Sequence, residues 1–104
     1  MSSNWIAEEQ VVFLFLDGRR VVGRIAVAHP SVELEDTFAC EIECFERVGP
    51  IYGGSSLQAL LLAIQFLAKQ VHLFRERGGR VLFTGQDDSD VEVPLDAYFG
   101  KLLG

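Results

Sequence analysis

Hydrophobic residues recur with a period near two along the first half of the chain, and with a helical period in the stretch that follows. Ile6–Leu16 reads as a first strand, strongly β-prone at Val11-Val12-Phe13-Leu14-Phe15-Leu16. So continuous an apolar run predicts cover on both faces of that strand. Asp17-Gly18 suits a tight hairpin turn, after which Val21–Ala28 returns as a second strand with Arg24 on its wetter face. Gly23 marks either a bulge or a close backbone approach. His29-Pro30 ends the strand, because proline cannot donate to a ladder and restricts the residue before it. Ser31–Asp36 reads as an acidic loop. Thr37–Phe45 then alternates as a third strand, with Phe38, Cys40, Ile42 and Cys44 on one face and Glu41 and Glu43 on the other. Glu46–Pro50 reads as a turn or bulge, leaving Val48–Tyr52 to extend the sheet.

The period then changes. Gly53-Gly54 stops the strand, and Ser55-Ser56-Leu57-Gln58 offers a capping box that starts a helix. The helix runs over about Ser56–Arg77 and closes at Gly78-Gly79, where a left-handed cap is expected. Arg75 and Arg77 near its end suit the negative pole of the helix dipole. Gln58, Gln65, Lys69, His72 and Glu76 share one narrow polar stripe. Leu57, Leu60, Ile64, Leu67, Val71 and Phe74 form the opposite face and are the expected core contact, with Ile64 and Leu67 near its centre. Leu62, Phe66 and Leu73 remain on a flank, so the apolar arc is wider than one sheet face needs. Arg80–Thr84 reads as a short strand and Gly85–Asp90 as a polar loop. Val91–Val93 fits either state, and Pro94–Leu103 fits a short helix or a tail. The expected fold is therefore α+β over residues 1–104 as one domain: an antiparallel β-β-β meander packed on one long helix, then a short strand and a short C-terminal helix or tail.

Composition narrows the function classes. The chain has 104 residues, 49% of them hydrophobic with eight Phe, enough for one core without disulfide or metal. Its net charge is −6. Nucleic-acid binders draw most of their affinity from Lys and Arg on phosphates; here Arg19-Arg20-Arg24 and Arg75-Arg77-Arg80 are short clusters interleaved with acids, so no nucleic-acid partner is expected. Met1–Gln10 has no apolar core of a signal peptide, and the apolar run Leu57–Ile64 is short for a span. With two cysteines, a reducing cytoplasm and no membrane association are the expectation.

The segment Tyr52-Gly53-Gly54-Ser55-Ser56-Leu57-Gln58-Ala59-Leu60-Leu61-Leu62-Ala63 resembles the signature of a family of small bacterial domains of unknown function, Tyr-Gly-x-[Asp/Ser]-Ser-x-Gln-Ala-Leu-x-Leu-Ala. The resemblance covers about a dozen residues closely and the element order loosely. It implies the meander-plus-helix fold and a bacterial cytoplasmic origin, and it carries no activity.

Candidate chemistry is sparse. Gly49–Ser56 is a glycine-bearing junction before a helix, where free amides can cradle phosphate, but Ser55 stands where a Walker-type lysine would be. Cys40 and Cys44, four apart on one strand face, place their Cα atoms about 13 Å apart; that distance excludes a mutual disulfide and a shared zinc, leaving buried small side chains. His72, between Lys69 and Glu76, reads as a surface histidine, and His29 as a strand-end residue. Asp87-Asp88-Ser89-Asp90 with Glu92 lacks EF-hand spacing and reads as a solvated turn. Trp5, Tyr52, Tyr98 and Phe99 could line a pocket or serve the core. No catalytic residue, cofactor or metal is expected.

These readings favour a non-enzymatic protein-interaction domain that forms a homodimer through Leu62, Phe66 and Leu73. The alternative cover for that flank is the segment Leu95–Phe99 of the same chain. An acidic surface also suits a basic protein partner, as for an immunity protein or antitoxin. The competing reading is a small ligand-binding module or enzyme with a pocket between sheet and helix.

Overall fold

The computed structural model describes residues 5–45, 47–84 and 91–100. In chain order these form β1 (Trp5–Leu14), β2 (Arg20–Ala28), β3 (Ser31–Leu34), β4 (Thr37–Glu43), β5 (Arg47–Gly53), α1 (Ser56–Glu76), β6 (Arg80–Phe83) and α2 (Leu95–Phe99). Every ladder is antiparallel. β4 pairs with β2 and β3 as well as with β5, β1 pairs with β2, and β6 adds outside β1. α1 thus leaves the sheet at β5 and returns the chain to β6, on the far side of β1. The fold is α+β, a six-stranded antiparallel sheet packed on one long helix.

Turn chemistry explains the first hairpin. Gly18 adopts φ +94°, which its lack of a Cβ permits, and its N–H donates to Phe15 O at 2.9 Å. Gly23 lies opposite Val11, and a Cβ there would sit 3.1 Å from the Phe13 ring. Close approach, with the Phe13 ring over the backbone, is therefore its role.

One expectation in this half needs correcting. Residues 31–34 of the expected acidic loop form β3, with Val32 opposite Phe38 and Leu34 opposite Thr37. All four are exposed, so no burial pattern betrayed them. The two-residue turn that follows places Asp36 at φ +63°, a conformation Asp tolerates. The turn or bulge expected at 46–50 is a register irregularity within β5, which begins at Arg47: Cys40 faces Ile51 and Ile42 faces Val48, so β5 carries one more residue than β4 there.

α1 begins as its capping residues require. Ser55 Oγ accepts from the Gln58 N–H at 3.0 Å, and Gln58 Oε1 accepts from the Gly54 N–H. At its end the Gly78 N–H donates to Arg75 O and the Gly79 N–H to Phe74 O, a Schellman closure with Gly78 at φ +90°. The face it buries is rotated from the expected one. Ala59, Ala63, Leu67, Ala68, Val71 and Phe74 are buried, Ile64 is half-buried, and Leu57 is exposed. Leu67, Val71 and Phe74 are buried as expected, while Ala59, Ala63 and Ala68 complete the stripe in place of Leu57, Leu60 and Ile64. By length and hydropathy α1 could cross a membrane, but this buried stripe is that of a helix packed in a core.

The core joins Val11 and Phe13 of β1, Ile25 and Val27 of β2, Cys40 and Ile42 of β4 and Val81 of β6 to that stripe. Cover on both faces of β1 is not found among the described residues. Val12 and Leu14 are half-buried on the face away from α1, and Val22, opposite Val12, is exposed. Residues 91–93 join the sheet: Phe83 N–H donates to Val91 O and Val93 N–H to Val81 O. α2 then docks through Arg75 Nη2 to Asp96 Oδ1 at 3.1 Å and Tyr98 Oη to Glu9 Oε1 at 3.0 Å.

Candidate functional site

Chemistry singled out from sequence is dispersed by the fold. The Gly49–Ser56 junction is mostly strand, and three amides around the start of α1 are engaged within the chain: Gln58 N–H by Ser55 Oγ, Ala59 N–H by Ser55 O, Gly54 N–H by Gln58 Oε1. Cys40 and Cys44 are both free and buried. The Cys40 thiol donates to Ala28 O at 3.2 Å, and burial pushes its pKa up, so it is a core residue and a poor nucleophile. His29 Nδ1 lies 3.1 Å from Pro30 O. His72 Nε2 lies 3.3 Å from Glu76 Oε2, and its Nδ1 is buried without a partner among the described residues. The two histidines share no site. No cluster of metal ligands occurs among the described residues, and the acidic segment 87–90 lies outside them. Of the four aromatics expected at a pocket or in the core, Phe99 packs against the core, Trp5 is half-buried, and Tyr52 and Tyr98 are exposed.

Three surface features do gather side chains. The first is the flank of α1 beside β5. Ile51, Leu62, Gln65, Phe66 and Lys69 line a shallow groove of about 310 Å³ there. Leu62 and Phe66 thus meet as expected, and Leu73, half-buried, follows two turns further along the same flank. Among the described residues β5 pairs only with β4, and no strand covers its outer edge.

The second feature is the β3–β4 hairpin. Val32 and Leu34 are 69% and 70% exposed, and Glu33, Glu35 and Asp36 stand between and beside them with no ion pair among the described residues. These residues belong to the segment expected as an acidic loop, and exposure on both faces left no burial pattern in the sequence to mark them as a strand.

The third is a cleft of about 560 Å³ between the β1–β2 turn and the end of α1, lined by Phe15, Leu16, Asp17, Arg19, Phe45, Phe74, Arg77 and Gly79. Its floor is aromatic: Phe74 stacks on Phe45 at 5.1 Å and meets Phe15 edge-on at 5.1 Å and Phe13 at 5.5 Å. Gly79 admits the Phe74 ring, since a Cβ there would lie 2.5 Å from it. At the rim the Arg19 guanidinium sits 4.4 Å over the Phe15 ring and pairs with Asp17 at 3.1 Å. The Arg19 N–H and guanidinium hold the Asp17 carboxyl below its ordinary pKa. Sequence reading missed this site, because its lining comes from a turn, a strand end and a helix end far apart in the chain.

Compared with models of known protein families, with curated proteins and with solved structures, the chain gives no match. The signature-like resemblance of residues 52–63 therefore rests on that segment alone.

Proposed function

We propose that this chain is a non-enzymatic protein-interaction domain, and that it self-associates through the α1 flank beside β5. The observation that carries the reading is the Leu62–Phe66 groove next to an open strand edge. α2, the other candidate cover, docks on Arg75 and Glu9 and contributes no residue to that groove. A second copy related by a two-fold axis would bring the same flank and the same edge against it. Hydrogen–deuterium exchange at low and high protein concentration tests the surface. Protection of the β5 amides and of Leu62–Phe66 should rise with concentration; protection independent of concentration would refute it.

A basic protein partner is the second interaction in this reading, favoured by the β3–β4 hairpin, where exposed aliphatics alternate with carboxylates that have no ion pair among the described residues, in a chain of net charge −6. Such a surface combines steering with apolar contact. A lysine-rich amphipathic peptide should bind the domain in a salt-sensitive way. Binding undiminished by Glu33→Gln with Glu35→Gln would rule the hairpin out. An acidic bacterial domain of this kind fits the immunity-protein or antitoxin class.

A further inference from the structure

From the cleft at the end of α1 we infer a binding site for a small amphipathic anion, an apolar body carrying one carboxylate or phosphate. This site is separate from the self-association surface and does not depend on it. Its volume, about 560 Å³, falls in the range of small-molecule pockets. The apolar part is already built: Phe15, Phe45 and Phe74 form the floor, and Leu16 forms an outer wall. Leu16 is 79% exposed, yet its Cδ1 would lie only 2.9 Å from a Cβ at Gly78, so it rests over the helix end.

The charge at the rim selects the sign of the ligand. Among the described residues that line the cleft, Arg19 and Arg77 face one carboxylate, Asp17, in a protein that is otherwise acidic. Asp17 is committed to Arg19, which also lies over Phe15. Arg77 is different. Arg24, Arg75 and Arg80 each pair with a carboxylate, whereas the Arg77 side chain has no polar partner among the described residues. The backbone carbonyls of Leu73, Phe74 and Arg75 accept from Arg77, Gly79 and Gly78 N–H groups. These capped carbonyls weaken the opposition that a helix C-terminus offers to an anion. A free guanidinium beside an aromatic floor is suited to a carboxylate or phosphate oxygen while the body of the ligand packs below.

The test uses the intact chain and four ten-carbon probes: sodium decanoate, decyl phosphate, decanol and decyltrimethylammonium, each followed by backbone amide shifts. Saturable shifts at Phe15, Leu16 and Gly79 are expected with at least one of the two anions, and which of them binds tells carboxylate from phosphate. Decanol should bind about tenfold more weakly, the equivalent of one charge-assisted hydrogen bond, and the cation more weakly still. Arg77→Gln should bring the anion down to the affinity of decanol, and Arg77→Lys should restore part of the loss. Three results would overturn the site: no saturable shift at those amides with either anion, a cation that binds as tightly, or an Arg77→Gln protein of unchanged anion affinity. The ranking of probes on the wild type needs no variant to fold.

Discussion

The two flanks of α1 are chemically alike and structurally opposite. Phe66 and Arg75 lie nine positions apart, about two and a half turns, and so point to opposite sides of the helix. On the Arg75 side, α2 docks through Asp96, and Ala68 and Val71 are fully buried. On the Phe66 side, Leu62 remains 39% exposed and a groove runs along β5. The difference teaches that this helix's hydrophobic bulk does not locate its core. Ala59, Ala63 and Ala68 share the buried stripe with Leu67, Val71 and Phe74, while Leu62 and Phe66 lie beside it on the flank along β5.

The comparison breaks most readily at the sheet contact between the flanks. Ala63→Asp should cost several kcal/mol, because an unpaired charge would replace a fully buried methyl group. Ile64→Asp, at a half-buried position, should lower the melting temperature less. The reverse order would return the core face to the one inferred from residue bulk.

Ser55→Ala acts on the first turn that both flanks share and should lose about 1 kcal/mol in urea unfolding. Ser56→Ala should lose less, since Ser55 supplies the cap. On the closed flank, Asp96→Ala removes an exposed ion pair and should cost no more than about 1 kcal/mol. A larger loss would mean that α2 is held by that pair and not by Leu95, which is buried in the core.

The smallest effect is pH-dependent. The hydrogen bond to Glu9 raises the Tyr98 phenol above its ordinary value of 10.0. A folded-state pKa above the unfolded one gives a stabilisation fully present below pH 10 and lost as pH rises through the raised value. An alkaline transition in α2, followed by tyrosine absorbance, should therefore vanish in Tyr98→Phe. Its persistence in that variant would assign it to another group.

Much of the fold was legible because strands β1, β2 and β4 and both helix caps write their conformation locally. Phe38-Cys40-Ile42-Cys44 alternates against Glu41 and Glu43, and Ser55 with Gln58 and Gly78-Gly79 fix where α1 starts and stops. β3 was not legible, since a strand exposed on both faces has no burial pattern to display. The rotation of α1 was hidden for a related reason: alanine is a weak hydrophobic signal and a strong packing one. Of the surfaces, the Leu62–Phe66 flank could be read from helical periodicity. The aromatic cleft could not, because Phe15, Phe45 and Phe74 meet only once three distant segments have folded together.

Light scattering on a matched pair of variants tests the open flank most directly. Phe66→Lys places a charge on the flank beside β5, and Leu57→Lys places one at an exposed position outside that groove. At micromolar concentration the wild type and Leu57→Lys should both have twice the monomer mass, and Phe66→Lys should have the monomer mass. A wild type that scatters as a monomer, or a Phe66→Lys protein that remains a dimer, would contradict the account.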